Sequence, residues 1–370
     1  MTFFSILFYL FIVIVFIQVV YYLSFLFSFS ITKQEAKTKR NIPLSLIICA
    51  KNEAESLNNN LPLFLSQNHS EFQIVLVNDG SSDDTLEVMK SFEVNHKNIK
   101  IVDVKNIEAF WGNKKYALTL GIKASKYDFL VFSDADCHPS SNKWLTEISS
   151  EFSNEKSIVL GYGGYKKKKH SFLNKLIRFE TVMTALQYFS YTNLGLPYMG
   201  VGRNMAYRKE LFFNNSGFNS HMKINSGDDD LFINEVADKK NTAICTSQNS
   251  FTLSEPKTSL KDWLIQKRRH ISTAKLYKKK HQMLLGVFYT SQLLFWLLGI
   301  VLLALGYEWE LVILLIAFRF LVQLTTFGLS SKKLNEVDLL FLAPLLELFL
   351  ISTQLIIFSA NLISKPKHWK

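Results

Sequence analysis

Charge, or its absence, sets the first limit on how this chain can fold. No charged residue occurs from Met1 to Thr32, and crossing a bilayer takes only about 20 apolar residues. A cleaved signal peptide would need a basic n-region and an apolar core of about 7–15 residues. This run supplies neither and reads as a retained anchor. Near the other end, Gln282 to Tyr307 carries no charge, Leu311 to Ser331 only Arg319, and Leu339 to Ile363 only Glu347. The expectation is four spans, one over 1–32 and about three over 282–364.

Lys33, Lys37, Lys39 and Arg40 follow the first run, and Lys275, Lys278, Lys279 and Lys280 precede the second. The positive-inside rule then puts 33–281 in the cytoplasm, at the inner face of the cell membrane. Counting onward leaves Lys365, Lys367 and Lys370 outside, against the rule, unless one C-terminal segment is re-entrant or interfacial. Arg319 and Glu347 lie about 8 and 9 residues into antiparallel spans, so at about 1.5 Å rise per residue they are expected to pair near mid-membrane.

The formal net charge of +11 is concentrated in flanking segments such as Lys166 to Lys169. In an anchored protein that excess suits anionic lipid headgroups and not nucleic acid. Cys49, Cys137 and Cys245 are odd in number and lack metal-ligand spacing, so they read as small core residues on a reducing side.

Between Asn41 and Leu260 the pattern changes. The runs "LSLIIC" (Leu44 to Cys49), "FQIVLV" (Phe72 to Val77), "IKIVDV" (Ile99 to Val104) and "DFLVFS" (Asp128 to Ser133) alternate with segments long enough for helices. That order predicts an α/β domain with a mostly parallel sheet and right-handed crossovers. Ligands of such sheets bind outside the carboxyl ends of the strands. The first strand runs into "AKNEAES", the second into "NDGSSDDT" and the fourth into "DADCHP", so three acidic turns gather on one rim. Asp134 and Asp136 flank Ala135, and carboxylates that close require a hard cation such as Mg²⁺ or Mn²⁺. "NDGSSDDT" is also good turn chemistry, with a Ser/Asp cap for a helix beginning near Thr85.

These residues, in this order, resemble the family-two glycosyltransferases with a GT-A fold, a Rossmann-like α/β domain, over roughly Pro43 to His270. "CAKNEAESL" resembles the opening nucleotide-binding segment, "VNDGSSDDT" the Asp-Gly-Ser turn, "SDAD" the Asp-x-Asp metal motif and "GDDD" the acidic acceptor-side motif. "QKRRH", Gln266 to His270, looks like the Gln-x-x-Arg-Trp motif of membrane-bound members, with His270 in place of Trp. The resemblance implies that Asp79 binds the donor nucleobase in a pocket lined by Lys51, Asn52 and Glu53. Lys114 of "GNKKYAL" is similar to the Gly-Lys-x-x-Ala-Leu lysine, with Asn113 inserted. Asp134 would lie near ribose and metal, Asp136 would ligate the metal, Gln266, Arg268 and Arg269 would stand on the donor side, and the metal together with Arg268 or Arg269 would neutralise the diphosphate leaving group. Gly200, Gly202 and Asn204 of "GVGRNMAYR" resemble the acceptor loop, which puts Gly202, Asn204 and His270 on the acceptor side.

The chemistry can be stated without the family. A departing nucleoside diphosphate concentrates negative charge, which a divalent ion and a guanidinium stabilise. The acceptor hydroxyl needs a carboxylate to take its proton. Asp228, Asp229 and Asp230 precede an apolar helical pattern, where acids gain about 0.3–1 kcal/mol each from the macrodipole. Three overshoot that need, and neighbouring like charges raise one another's pKa, which suits a base. Alignment with Gly-Glu-Asp gives Asp229 the base position, with Asp228 and Asp230 as alternatives.

Two basic stretches complete the pattern. Phe172, Leu173, Leu176, Ile177, Phe179 and Met183 form an apolar helical face with Lys175 and Arg178 toward the other side. Residues 258–281 read as a basic amphipathic helix whose Leu260, Trp263, Leu264 and Ile271 float among headgroups. The expected protein is a membrane-bound, metal-dependent, inverting glycosyltransferase of the hexosyltransferase type. It would move sugar from a nucleotide donor, UDP-linked by the resemblance, to a lipid or glycan acceptor. A processive polysaccharide synthase is the alternative within the class. A non-catalytic scaffold or transporter with a decayed domain is the alternative outside it, and intact acids at all three turns argue against decay.

Overall fold

The computed structural model describes residues 2–33, 41–105, 114–224 and 226–363. Lys37, Lys39, Arg40, Asn113, Lys365, Lys367 and Lys370 lie outside the described residues. The chain divides into two compact units, one holding Gln34–Lys167 and Gly195–Lys257, the other Met1–Lys33, Lys168–Leu194 and Thr258–Pro366.

The first unit is built on strands β1 (Leu44–Ala50), β2 (Phe72–Asn78), β3 (Ile99–Asp103), β4 (Phe129–Asp134), β5 (Cys137–Pro139), β6 (Ile158–Gly161), β7 (Gly163–Tyr165), β8 (Met205–Arg208), β9 (Thr242–Cys245) and β10 (Thr252–Ser254). Seven form one sheet in the order β3-β2-β1-β4-β8-β6-β9, in which β8 alone runs against its neighbours. A small sheet has the order β5-β10-β7. The four strands expected from the apolar runs are β1 to β4, all parallel.

β1 is apolar on both faces because both are covered. Leu44, Leu46 and Ile48 share a core with Leu57, Leu61, Met89, Trp144 and Ile148 of the helices Ala54–Leu65, Thr85–Asn95 and Trp144–Ser150. On the other face the helix Lys114–Ala124 presents Gly121, where a Cβ would come within 2.7 Å of Val77 Cγ2 and 3.2 Å of Ile47 Cγ2. The register pairs Cys49 with Asp134 and Ala50 with Asn78, so the three central strands end level. That alignment brings the turns after them together.

In the second unit four helical segments, Phe3–Ser30, Lys279–Ala304, Trp309–Lys333 and Val337–Ile363, are long and apolar enough to cross a membrane. Their apolar surfaces face outward and a polar cluster lies between them. Arg319 bonds Glu347 through both guanidinium ends, Nη2 to Oε1 at 2.6 Å and Nη1 to Oε2 at 2.9 Å. Gln18 Oε1 accepts a further bond from Arg319 at 2.9 Å, Gln323 accepts another, and Gln292 Nε2 donates to Glu347 at 2.9 Å. Tyr22 and Trp296 also donate to Glu347. The expected ion pair is therefore present, embedded in side chains from all four segments. In a medium without water such groups must satisfy one another.

Two expectations need correction. Arg178, expected away from the apolar face of the helix Phe172–Asn193, is buried, with Nε donating to Glu336 at 2.8 Å and Nη2 to Asp338 at 2.6 Å. A guanidinium can enter an apolar surface when carboxylates meet it there. Residues 258–281 are not one helix. A helix Leu260–Ile271, started by Ser259 capping Asp262, is followed by a 3₁₀ turn Ala274–Leu276 before Lys279–Ala304 begins. Trp263 on it is buried and does not float, whereas Leu260 and Ile265 are exposed.

Replacing Glu347 by Gln, or Arg319 by Met, leaves a buried charge without its partner and is expected to cost about 3–5 kcal/mol. Thermal unfolding in detergent would register this. The Arg319→Glu, Glu347→Arg double variant should recover a large part of the loss, and no recovery would contradict the pairing.

Candidate active site

The turns after β1 and β2 are stapled to each other by one backbone bond and by side chains that accept from backbone N–H groups. Asp79 N–H donates to the Ala50 carbonyl at 2.9 Å, Asn52 N–H to Ser81 Oγ at 3.1 Å, Glu53 N–H to Thr85 Oγ1 at 2.9 Å, and Ser82 N–H to Asn52 Oδ1 at 2.8 Å. Gly80, at φ +59°, permits the bend. The cap of the next helix comes from Asp83, whose Oδ1 accepts from Thr85 N–H at 3.1 Å, and not from Asp84 at the N-cap itself. Asn52 is thus spent on holding the turn. Asp79 is almost fully buried, and its carboxyl is raised by burial against the opposing pull of Lys51 and Lys114.

After β4, Asp134 and Asp136 project beside Glu53. Protein crowded around the Asp136 carboxyl, although its surface reaches solvent, raises its pKa, and Asp134 and Glu53 raise it further. Oxygen atoms of Asp134 and Asp136 and the sulfur of Cys137 lie within 4.8 Å of one another. Cys137, read from sequence as core, is indeed buried, and burial followed by the Asp136 and Asp134 charges pushes its thiol well up. The donors exposed to an ion are therefore hard carboxylate oxygens, a set that fits a divalent metal.

Lys114 joins this turn to the triplet. Its Nζ lies 2.9 Å from Asp134 Oδ1 and 3.2 Å from Asp228 Oδ2. Burial alone would lower its pKa, but Asp134 and Asp228 raise it well above the ordinary lysine value. The three acids of the triplet then differ. Asp228 is buried on Lys114, and Asp230 is buried with Oδ1 accepting from Leu231 N–H at 2.7 Å. Asp229 is partly exposed and caps the helix Asp230–Val236, Oδ1 accepting from Asp230 N–H at 2.8 Å and Oδ2 from Gly202 N–H at 2.7 Å. Burial of its carboxyl, then the charges of Asp228 and Asp230, push its pKa up to about 7.

Gly202 earns its place by proximity, since a Cβ there would stand 3.2 Å from Asp229 Oδ2. Asn204 does not reach an acceptor, which corrects its expected role. It is fully buried, donating to the carbonyls of Tyr162 at 2.8 Å and Ser250 at 2.7 Å and accepting from Trp144 Nε1 at 3.0 Å. Between them, Arg203 was missed in the sequence. It stacks 4.3 Å from the Tyr165 ring, donates to the Gly163 carbonyl at 2.6 Å and pulls the Asp136 pKa down. The signal available in the sequence is an arginine directly after Gly202.

Gln266, Arg268, Arg269 and His270 all lie on the helix Leu260–Ile271 of the other unit. Arg268 donates there to Asn361 Oδ1 at 3.0 Å and the Ala360 carbonyl at 3.1 Å, while His270 is exposed.

A mostly parallel sheet with paired carboxylates beyond its central strands defines a GT-A glycosyltransferase domain. Residues 45–214 match the model described as glycosyl transferase family 2. The chain is 38% identical over 93 residues to a poly-beta-1,6-N-acetyl-D-glucosamine synthase of Staphylococcus epidermidis, a match that takes in 25% of this chain and 21% of that one. It is 28% identical over 172 residues to the glycosyltransferase AglE of Haloferax volcanii, 46% of this chain and 51% of that one. The chain thus spans about a fifth to a half of the curated relatives it matches. Among solved structures, a mannosyltransferase of Pyrobaculum calidifontis in complex with GDP-Man and Mn²⁺ has the same fold, with a TM-score of 0.59 at 15% identity over 93% of this chain and 98% of that one.

Asn204→Ala would leave the Trp144 indole N–H and the Ser250 carbonyl without the partner Asn204 supplies, at about 1–3 kcal/mol for each group, while the Tyr162 carbonyl keeps its bond from Thr252 N–H. A clear fall in the thermal midpoint of the purified protein is expected. Unchanged stability would contradict the anchoring role.

Proposed function

We propose that the chain is a metal-dependent, inverting hexosyltransferase that moves sugar from a nucleotide donor, UDP-linked, to a lipid or glycan acceptor at the cytoplasmic face of the cell membrane. One observation carries the reading: the Lys114 ammonium lies between Asp134 and Asp228, so donor-side and acceptor-side acids share one rim. In this reading 1–32 anchors the protein, 41–260 carries catalysis, with Lys168–Leu194 drawn into the apolar unit, 258–281 meets the headgroups and 282–364 spans the membrane.

Asp79, Lys51 and Glu53 receive the donor base and ribose, on a turn that Asn52 holds. Asp134 and Asp136 would hold a Mg²⁺ or Mn²⁺ ion, which supplies charge stabilisation to the departing diphosphate. Asp229 accepts the proton of the attacking hydroxyl. Each of its oxygens already takes one backbone N–H, which fixes its orientation and leaves a lone pair free. A single base with direct displacement inverts the anomeric centre. Likeness to a polysaccharide synthase favours a second reading, processive polymerisation at the same site. Product length, one added sugar or a ladder, separates the two.

Membranes containing the protein, given a panel of labelled nucleotide sugars, should label one product. Asp136→Asn and Asp229→Asn should each lose about 10²–10⁴-fold in rate while remaining folded. Full activity in both would refute the assignment.

The pH dependence follows from the Asp229 pKa of about 7. A base works deprotonated, so kcat should rise with pH through about 7 and level off above it. A rate that fell over that interval would exclude Asp229 as the base.

A further inference from the structure

We propose that Lys115 is a positioning residue, holding the base-bearing triplet in place through a buried ammonium bonded to the backbone ahead of it. The proposal rests on the glycosyl-transfer reading. Lys115 is 1% exposed, yet its Nζ donates to the carbonyls of His221 at 2.7 Å, Ile224 at 3.0 Å and Ser226 at 2.8 Å. These carbonyls lie on the segment that leads into Gly227 and the acids Asp228 to Asp230, with Ser226 directly before the glycine. An ammonium has three protons to direct, and three carbonyls converge on it.

Adjacent lysines therefore do different work. Lys114 binds the carboxylates of Asp134 and Asp228, while Lys115 binds main chain. Both stand at the start of the helix Lys114–Ala124, which is fitted closely against β1 and β2 at Gly121. The tether thus runs from the sheet, through a packed helix, to the strand of chain that aims Asp229. Its charge is compensated by Asp228, Asp230, Asp229 and Glu235, and the His221 imidazole also faces it. Burial lowers the Lys115 pKa to about 8, so the ammonium form still prevails at neutral pH.

The test uses the full-length protein in detergent with wild type, Lys115→Met, Lys115→Gln and Asp229→Asn compared. Met keeps the volume and removes the donors. Expected for Lys115→Met is a kcat lower by about 10–100-fold, as a base displaced by about 1 Å would give. The KM for the donor should stay within about twofold, because donor groups are untouched. The rising limb of kcat against pH should move upward, since a cation near Asp229 has gone. Deuterium should enter the amides of 226–236 faster than in wild type. If Lys115→Met does not fold, Lys115→Gln carries the same expectations. Wild-type kcat and exchange in the folded variant would overturn the proposal, as would parallel loss of kcat and donor affinity. Failure of the functional reading looks different: wild type transfers no sugar, or Asp229→Asn keeps the full rate, while the exchange measurement still reports the tether.

Discussion

The Lys114 ammonium, 2.9 Å from Asp134 and 3.2 Å from Asp228, is the contact on which the site depends. Six aspartates, Asp79, Asp134, Asp136 and the triplet, collect within one unit of a chain whose net charge is +11. Without a cation among them the turn after β4 and the triplet would repel each other, and the raised pKa of Asp136, to which Asp134 and Glu53 add after burial, shows that like charge is already felt there. A lysine there draws the two acidic segments together and still leaves Asp136 open to solvent. The site is thus organised by charge balance before any ligand arrives.

The other unit solves the same problem among apolar helices. Arg319 and Glu347 are almost fully buried, and Gln18, Tyr22, Gln292, Trp296 and Gln323 supply further bonds to them, with only the Arg319 Nε unmet among the described residues of the pair. In a low-dielectric interior a pair with no further bonds would destabilise the assembly, whereas one bonded from all four segments gives the helices a defined partner. Ser30 and Ser330, whose hydroxyls meet at 2.7 Å, and Thr326, which donates to the Tyr22 carbonyl, extend that polar seam along the first and third segments. Arg178 with Glu336 and Asp338 repeats the device for the helix Phe172–Asn193.

What could be read in the sequence was whatever depends on local period or on counting. β1 to β4 were legible because strands covered on both faces are unbroken apolar runs, and the four apolar segments because charge is absent from them. The Arg319 and Glu347 pairing followed from depth alone. What failed depended on tertiary packing. Asn204 looked like a loop residue, but the close ends of β6 and β8 and the Trp144 indole enclose it. Arg178 looked exposed because its partners are about 160 residues away. Lys115 carried no signal beside Lys114, since only the fold decides which of two adjacent lysines turns inward.

The triplet shows why one motif can serve structure and chemistry at once. Starting the helix Asp230–Val236 requires one capping side chain, and Asp229 supplies it. Asp228 is needed by Lys114, and Asp230 turns back on the next backbone N–H. Each acid thus has a structural reason to be present, and together they create a chemical property none has alone. The two backbone N–H groups on Asp229 favour its carboxylate form, while burial and its two neighbours favour the acid form, and the balance falls at about 7. Asp228 alone would be tied to its lysine and Asp230 alone would be closed to solvent, so only the middle acid combines exposure with a proton affinity suited to a hydroxyl's proton. Helix capping, in this protein, is what orients the Asp229 carboxyl.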